Sequence, residues 1–98
     1  MGEKVMTEYE WEVLEIVDGE LSDTVWHYDI KDIDDVVFDI RNGQYVHVLK
    51  QYWDTNLNSG DRKYYDVFSR DDWGRVDQTD ELPKYIQKYI NKVKEKLN

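Results

Sequence analysis

Ninety-eight residues and 11.9 kDa set the scale of one small domain. With 13 Lys/Arg against 22 Asp/Glu the net charge is −9, so a broad contact with a phosphate backbone or an anionic leaflet is repelled. Absence of cysteine excludes disulfides, thiol catalysis and thiolate metal sites.

Residues 1–7 read as a loose tail. Tyr9, Trp11 and Val13 then alternate with Glu8, Glu10 and Glu12, the period of a half-buried strand over 8–17. The alternation moves to Leu14 and Ile16, which predicts a bulge or burial of both faces there. Asp18-Gly19 is a two-residue hairpin signal leading into a strand over 20–28. With that turn, Ile16 faces Leu21, Trp11 faces Trp26 and Tyr9 faces Tyr28. Aromatic pairs across the ladder support this register.

The stretch 29–41 has two readings. Ile30, Ile33, Val37 and Ile40 keep helical spacing, with Asn42-Gly43 as a helix end. Val36, Phe38 and Ile40 also alternate as a strand over 35–41, with Asn42-Gly43 as a type I′ turn. The poor helix propensity of Val-Val-Phe-Asp-Ile favours the strand. Further strands are expected at 44–53 and 63–69, separated by the polar loop 54–61. Residues 70–79 read as a polar connection. Leu82, Ile86, Tyr89, Ile90, Val93 and Leu97 lie along one face of a helix over 81–97. Asp80 suits its N-cap, and Lys92, Lys94 and Lys96 suit the negative end of its dipole. The chain has no alanine but 11 Val and 6 Ile, which argues for a body of strands. The expected fold class is α+β: an antiparallel meander of four to five strands with the C-terminal amphipathic helix packed on one face.

Catalytic chemistry is not indicated. His27 and His47 lie in no nucleophile or phosphate-binding motif. The expected register sets His27 against Glu10 as a surface pair and leaves His47 as an ordinary strand residue. Asp34-Asp35, Asp71-Asp72 and Asp80-Glu81 are adjacent carboxylates, which point to opposite faces of a strand or lie solvated in loops. No acid/base pair follows, and neither enzyme nor cofactor is expected. Asp54, Asn56 and Asn58 match the opening of an EF-hand loop. The glycine then falls at Gly60 where the pattern needs it at Ser59, and Tyr65 stands where a bidentate Glu is required. No metal site is expected.

The acidity is segregated. Residues 80–98 carry a net +2 and residues 1–79 a net −11. Glu8, Glu10 and Glu12 project from one strand face at ~6.8 Å intervals. Asp32, Asp34, Asp35 and Asp39 form a second group. Asp71, Asp72, Asp77, Asp80 and Glu81 form a third. Such rows either solvate a surface or present a potential resembling that of a phosphate backbone. Trp53 at a strand end and Trp73 in a connection are candidate interface anchors. The Lys84, Lys88, Lys92 stripe reads as the solvated back of the last helix.

In size and charge the chain is similar to the small acidic proteins that phages and mobile elements carry, anti-restriction and anti-CRISPR proteins among them. The likeness is one of composition and covers no motif. The expected function is that of a cytoplasmic, non-enzymatic inhibitor or modulator. It would act as a DNA mimic, occupying the nucleic-acid site of a cationic protein partner through Glu8, Glu10, Glu12, Asp34, Asp35, Asp71 and Asp72. The alternative is an interaction module or accessory subunit led by exposed aromatics, Trp53 and Trp73 among them. Direct nucleic-acid and membrane contact are not expected.

Overall fold

The computed structural model describes residues 5–54, 59–68 and 75–98, with side chains over 8–52, 60–68 and 75–98. Its strands are β1 (Val5–Val17), β2 (Glu20–Asp29), β3 (Tyr45–Asp54) and β4 (Ser59–Tyr65). Its helices are α1 (Ile33–Arg41) and α2 (Lys84–Leu97), the latter preceded by a 3-10 turn at Thr79–Glu81. The strands form one antiparallel sheet in the order β2-β1-β3-β4. The fold is therefore α+β, with β1 in the interior of the sheet and β2 and β4 at its edges. Val5, Met6 and Thr7, expected in a loose tail, pair with Asp54, Trp53 and Tyr52. β4 also starts earlier than expected, since Ser59 already opposes Asp54.

The β1–β2 hairpin closes as its sequence dictates. Asp18 (φ 53°) and Gly19 (φ 81°) both take the left-handed conformation that a type I′ turn requires. The ladder then slips. Ile16 opposes Leu21, but Leu14 opposes Val25, so Ser22, Asp23 and Thr24 stand against Glu15 alone. The Ser22 hydroxyl donates to Glu15 Oε1 at 3.0 Å and accepts the Thr24 amide at 3.1 Å. The extra residues sit on β2, and beyond them Trp11 opposes Tyr28 and Val13 opposes Trp26. The expected Trp11–Trp26 and Tyr9–Tyr28 pairs are thus displaced by two positions. A two-residue slip keeps every side chain on its face, so the alternation survives while the partners change.

Residues 33–41 form a helix, not the favoured strand. The reason is topological. β2 and β3 are both antiparallel to β1, so they run in the same direction on either side of it. A connection between them must travel back along the whole sheet, which a hairpin turn cannot do and a helical crossover can. α1 buries Val36 and Val37, and its Asp34, Asp35 and Arg41 suit the two ends of its dipole. Asn42-Gly43 closes this helix. The Gly43 amide donates to Ile40 O and the Gln44 amide to Asp39 O, both at 3.0 Å, the paired bonds of a Schellman motif. Gly43 has φ +86° and nothing within 4 Å of where a Cβ would stand. Gly43→Ala should therefore cost about 1 kcal/mol of purely conformational strain. Urea denaturation would show it, and an unchanged midpoint would argue against the left-handed cap.

α2 starts later than expected. Pro83 stands at its N-cap, and Asp80 belongs to the preceding 3-10 turn. Ile86, Ile90 and Val93 join Trp11, Val13, Val36, Val37, Val46, Val48, Tyr65 and Val67 in a single core. Arg41 Nη2 donates to Lys96 O at 2.5 Å, tying α1 to α2. Both helices cover the Trp11–Val13 face of the sheet. The other face is left to Glu12 and its neighbours. No described helix is long and apolar enough to cross a membrane.

Candidate functional site

Register assembles a polar row on the face opposite the helices. Glu12 of β1 is directly opposite His27 of β2 and His47 of β3. His27 Nε2 lies 2.8 Å from Glu12 Oε2, and His47 Nε2 lies 2.7 Å from Glu12 Oε1. An ionised carboxylate only accepts, so both imidazoles donate through Nε2–H. Glu12 and His47 are each 7% exposed. Burial pushes the Glu12 carboxyl up, but the bonds from His27 and His47 and their charges outweigh it and hold it below the ordinary range. Burial pushes His47 down, and the Glu12 bond offsets this only in part.

A second cluster adjoins the first. The Tyr45 hydroxyl donates to Asp66 Oδ1. Arg75 Nη1 donates to Asp66 Oδ1 at 2.8 Å and to the Tyr45 oxygen at 3.0 Å. Burial, then the Asp66 bond, push the Tyr45 phenol up to about 12. The His47 ring meets Tyr45 edge-on at 5.8 Å and Tyr64 at 4.8 Å. Glu12 is bonded to both imidazoles and Tyr45, Asp66 and Arg75 to one another, so the row joins strands across the sheet. Among the described residues no three His, Asp or Glu side chains group as metal ligands. Asp54 and Ser59 of the EF-hand-like stretch are opposed in the β3–β4 ladder, and residues 55–58 lie outside the described residues.

Among the described residues the candidate binding residues do not form one surface. Glu8 is exposed and Glu10 half-buried, while Glu12 is withdrawn into the histidine bridge. Asp34 and Asp35 are exposed on α1, on the helix side of the sheet, and Asp34 lies 3.4 Å from Lys96 Nζ. Asp77 of the third group is bonded to Lys94 at 2.6 Å. Asp71, Asp72 and Trp73 lie outside the described residues. Trp53 is placed through its backbone, opposite Met6 and Gly60, and its side chain lies outside them too. The helix lysines Lys84, Lys88 and Lys92 are exposed, the last two with Nζ 5.1 and 5.8 Å from the Tyr89 ring centre.

What the sequence reading missed is the β2 edge. Glu20, Asp23 and Asp29 are exposed along it, and the strand contains no Lys or Arg. Leu21, Val25 and Trp26 are 61%, 47% and 38% exposed on the same strand. A groove of about 210 Å³ opens beside the hairpin tip, lined by Leu14, Ile16, Gly19, Leu21, Tyr45 and Arg75. The lack of any cation between Asp18 and Asp29 was legible in the sequence. That β2 is an edge strand was not, because a meander would have given it two neighbours. Comparison with family models, with curated proteins and with solved structures finds no significant match.

Proposed function

We propose that the chain is a non-enzymatic binding protein that occupies a cationic protein surface of the kind that otherwise contacts nucleic acid. One observation carries the reading: Asp18, Glu20, Asp23, Asp29, Asp32, Asp34 and Asp35 are all exposed, Lys31 is the one Lys or Arg in that stretch of sequence, and Lys96 of α2 meets only its Asp34 end. They follow the β2 edge and the start of α1. A rigid edge of one sign concentrates potential and steers an oppositely charged partner. The setting that suits such a blocker is that of a small inhibitor carried by a phage or mobile element, acting in the cytoplasm on a nucleic-acid enzyme.

The test is recovery of a nucleic-acid-binding protein from bacterial lysate, followed by binding measured with the purified pair. Affinity should fall steeply with salt, and duplex DNA should compete. The triple variant Glu20→Lys, Asp23→Lys, Asp29→Lys should weaken binding at least about tenfold. Binding that persists through high salt and excess DNA would overturn the reading. It would favour an adaptor led by Leu21, Val25 and Trp26, whose exposure supports that second reading. Trp26→Ala would then cost more affinity than the charge reversals.

A further inference from the structure

Among the described residues the sheet has two open edges, β2 and β4, and they differ in chemistry. β4 exposes Asp61, Arg62 and Lys63, a mixture of signs. β2 exposes Glu20, Asp23 and Asp29 and no cation. From Val25 to Asp29 the β1–β2 ladder is unbroken. The outward amides and carbonyls of that stretch therefore stand in strand register. Ser22–Thr24, the residues of the slip, end the regular edge on one side. Val25 and Trp26 lie exposed at the start of it, Asp23 precedes them in the slip, and Asp29 closes it.

We propose that the β2 edge takes an extended segment of its partner as a fifth strand, with basic residues at both ends and β-branched residues between them. This deepens the preceding reading and rests on it. Main-chain bonds along Val25–Asp29 supply affinity, Val25 on one face and Trp26 on the other add apolar contact, and the acids select the ends. A second copy of the chain does not fit. Two β2 edges would bring Glu20, Asp23 and Asp29 of one copy toward the same acids of the other, with no Lys or Arg on either strand to offset them. The same carboxylates that admit a basic strand thus exclude a self-strand.

The probe is a capped heptapeptide, Lys-Thr-Ile-Thr-Val-Thr-Lys, and an analogue N-methylated on its central residues. Charge and side chains match, but the analogue cannot donate to an edge. At low salt the plain peptide should bind, and hydrogen exchange should slow at alternate amides within Val25–Asp29. The analogue should bind at least about tenfold more weakly. Equal binding of the two peptides would overturn strand addition and leave the electrostatic reading standing. Equal binding of the plain peptide to wild type and to the Glu20→Lys, Asp23→Lys, Asp29→Lys variant would instead overturn the acidic edge as the binding surface. No binding of the plain peptide to wild type would overturn both.

Discussion

Trp11→Ala is expected to remove about 4 kcal/mol of stability, the middle of the range for a buried aromatic. Trp11 is fully buried at the centre of the core and stacks on Phe68 at 6.1 Å. Its indole N–H donates to the Ile30 carbonyl at 2.9 Å, where β2 leads toward α1. Truncation leaves a cavity and an orphaned buried acceptor together. Trp11→Phe separates the two, keeping most of the volume and losing only the bond, at about 1–2 kcal/mol. Urea unfolding at neutral pH measures both. A domain this small has about 5–15 kcal/mol in all, so the alanine variant should be near the limit of folding. A loss below about 1 kcal/mol would mean that the core is not centred on this ring.

Glu12→Ala is expected to cost about 3 kcal/mol, because it leaves the buried His47 N–H without an acceptor. His47, 7% exposed, carries most of this; His27 is partly solvated and contributes less. The double variant Glu12→Leu, His47→Leu should recover much of the loss, since the cost lies in the orphaned group and not in the missing charge. Failure of that recovery would mean that the bridge itself supplies the stability.

The same row predicts a dependence on pH. His47 is held below its ordinary 6.5 in the folded chain, so unfolding takes up a proton. Its contribution is complete above pH 6.5 and declines as pH falls through the folded value. Glu12 is held below its ordinary 4.5, so its contribution is present above 4.5 and declines in the same sense further into acid. Stability should therefore fall on acidification in two successive stages. Tyr45, Tyr64, Asp66 and Arg75 also face His47 and are unchanged in a His47→Gln variant. That variant should lose the upper stage and keep a diminished lower one, since Glu12 retains the bond from His27. Urea midpoints between about pH 8 and pH 2 decide this, and an unaltered upper stage would assign it to another group.

The histidine bridge also moves the candidate interface. Glu8, Glu10 and Glu12 looked like a free carboxylate row because alternation sets all of them on one face. Alternation says nothing about neighbours. Once β1 is flanked by β2 and β3, Glu12 meets two imidazoles, and Glu10 lies between Asp29 and Leu49. The exposed acids that remain together are those of β2 and the start of α1, so the charge-reversal experiment belongs there.

Local chemistry, written in the sequence, determined the Asp18-Gly19 turn, the alternation of β1 and the apolar face of α2. Each depends on residues within a few positions of one another. Strand identity over 33–41 did not have that property. Val37 fits the helical period, Val36 the strand period and Ile40 both, and propensity pointed the wrong way. The decision came from β2 and β3 running in the same direction, a relation between residues far apart in the chain. The same holds for His27. A slip of two residues at Ser22–Thr24 leaves the hydrophobic pattern intact while exchanging Glu10 for Glu12 as its partner. Pattern therefore determined faces, and only tertiary structure decided partners and edges, because burial follows side-chain parity while pairing follows the register and order of whole strands.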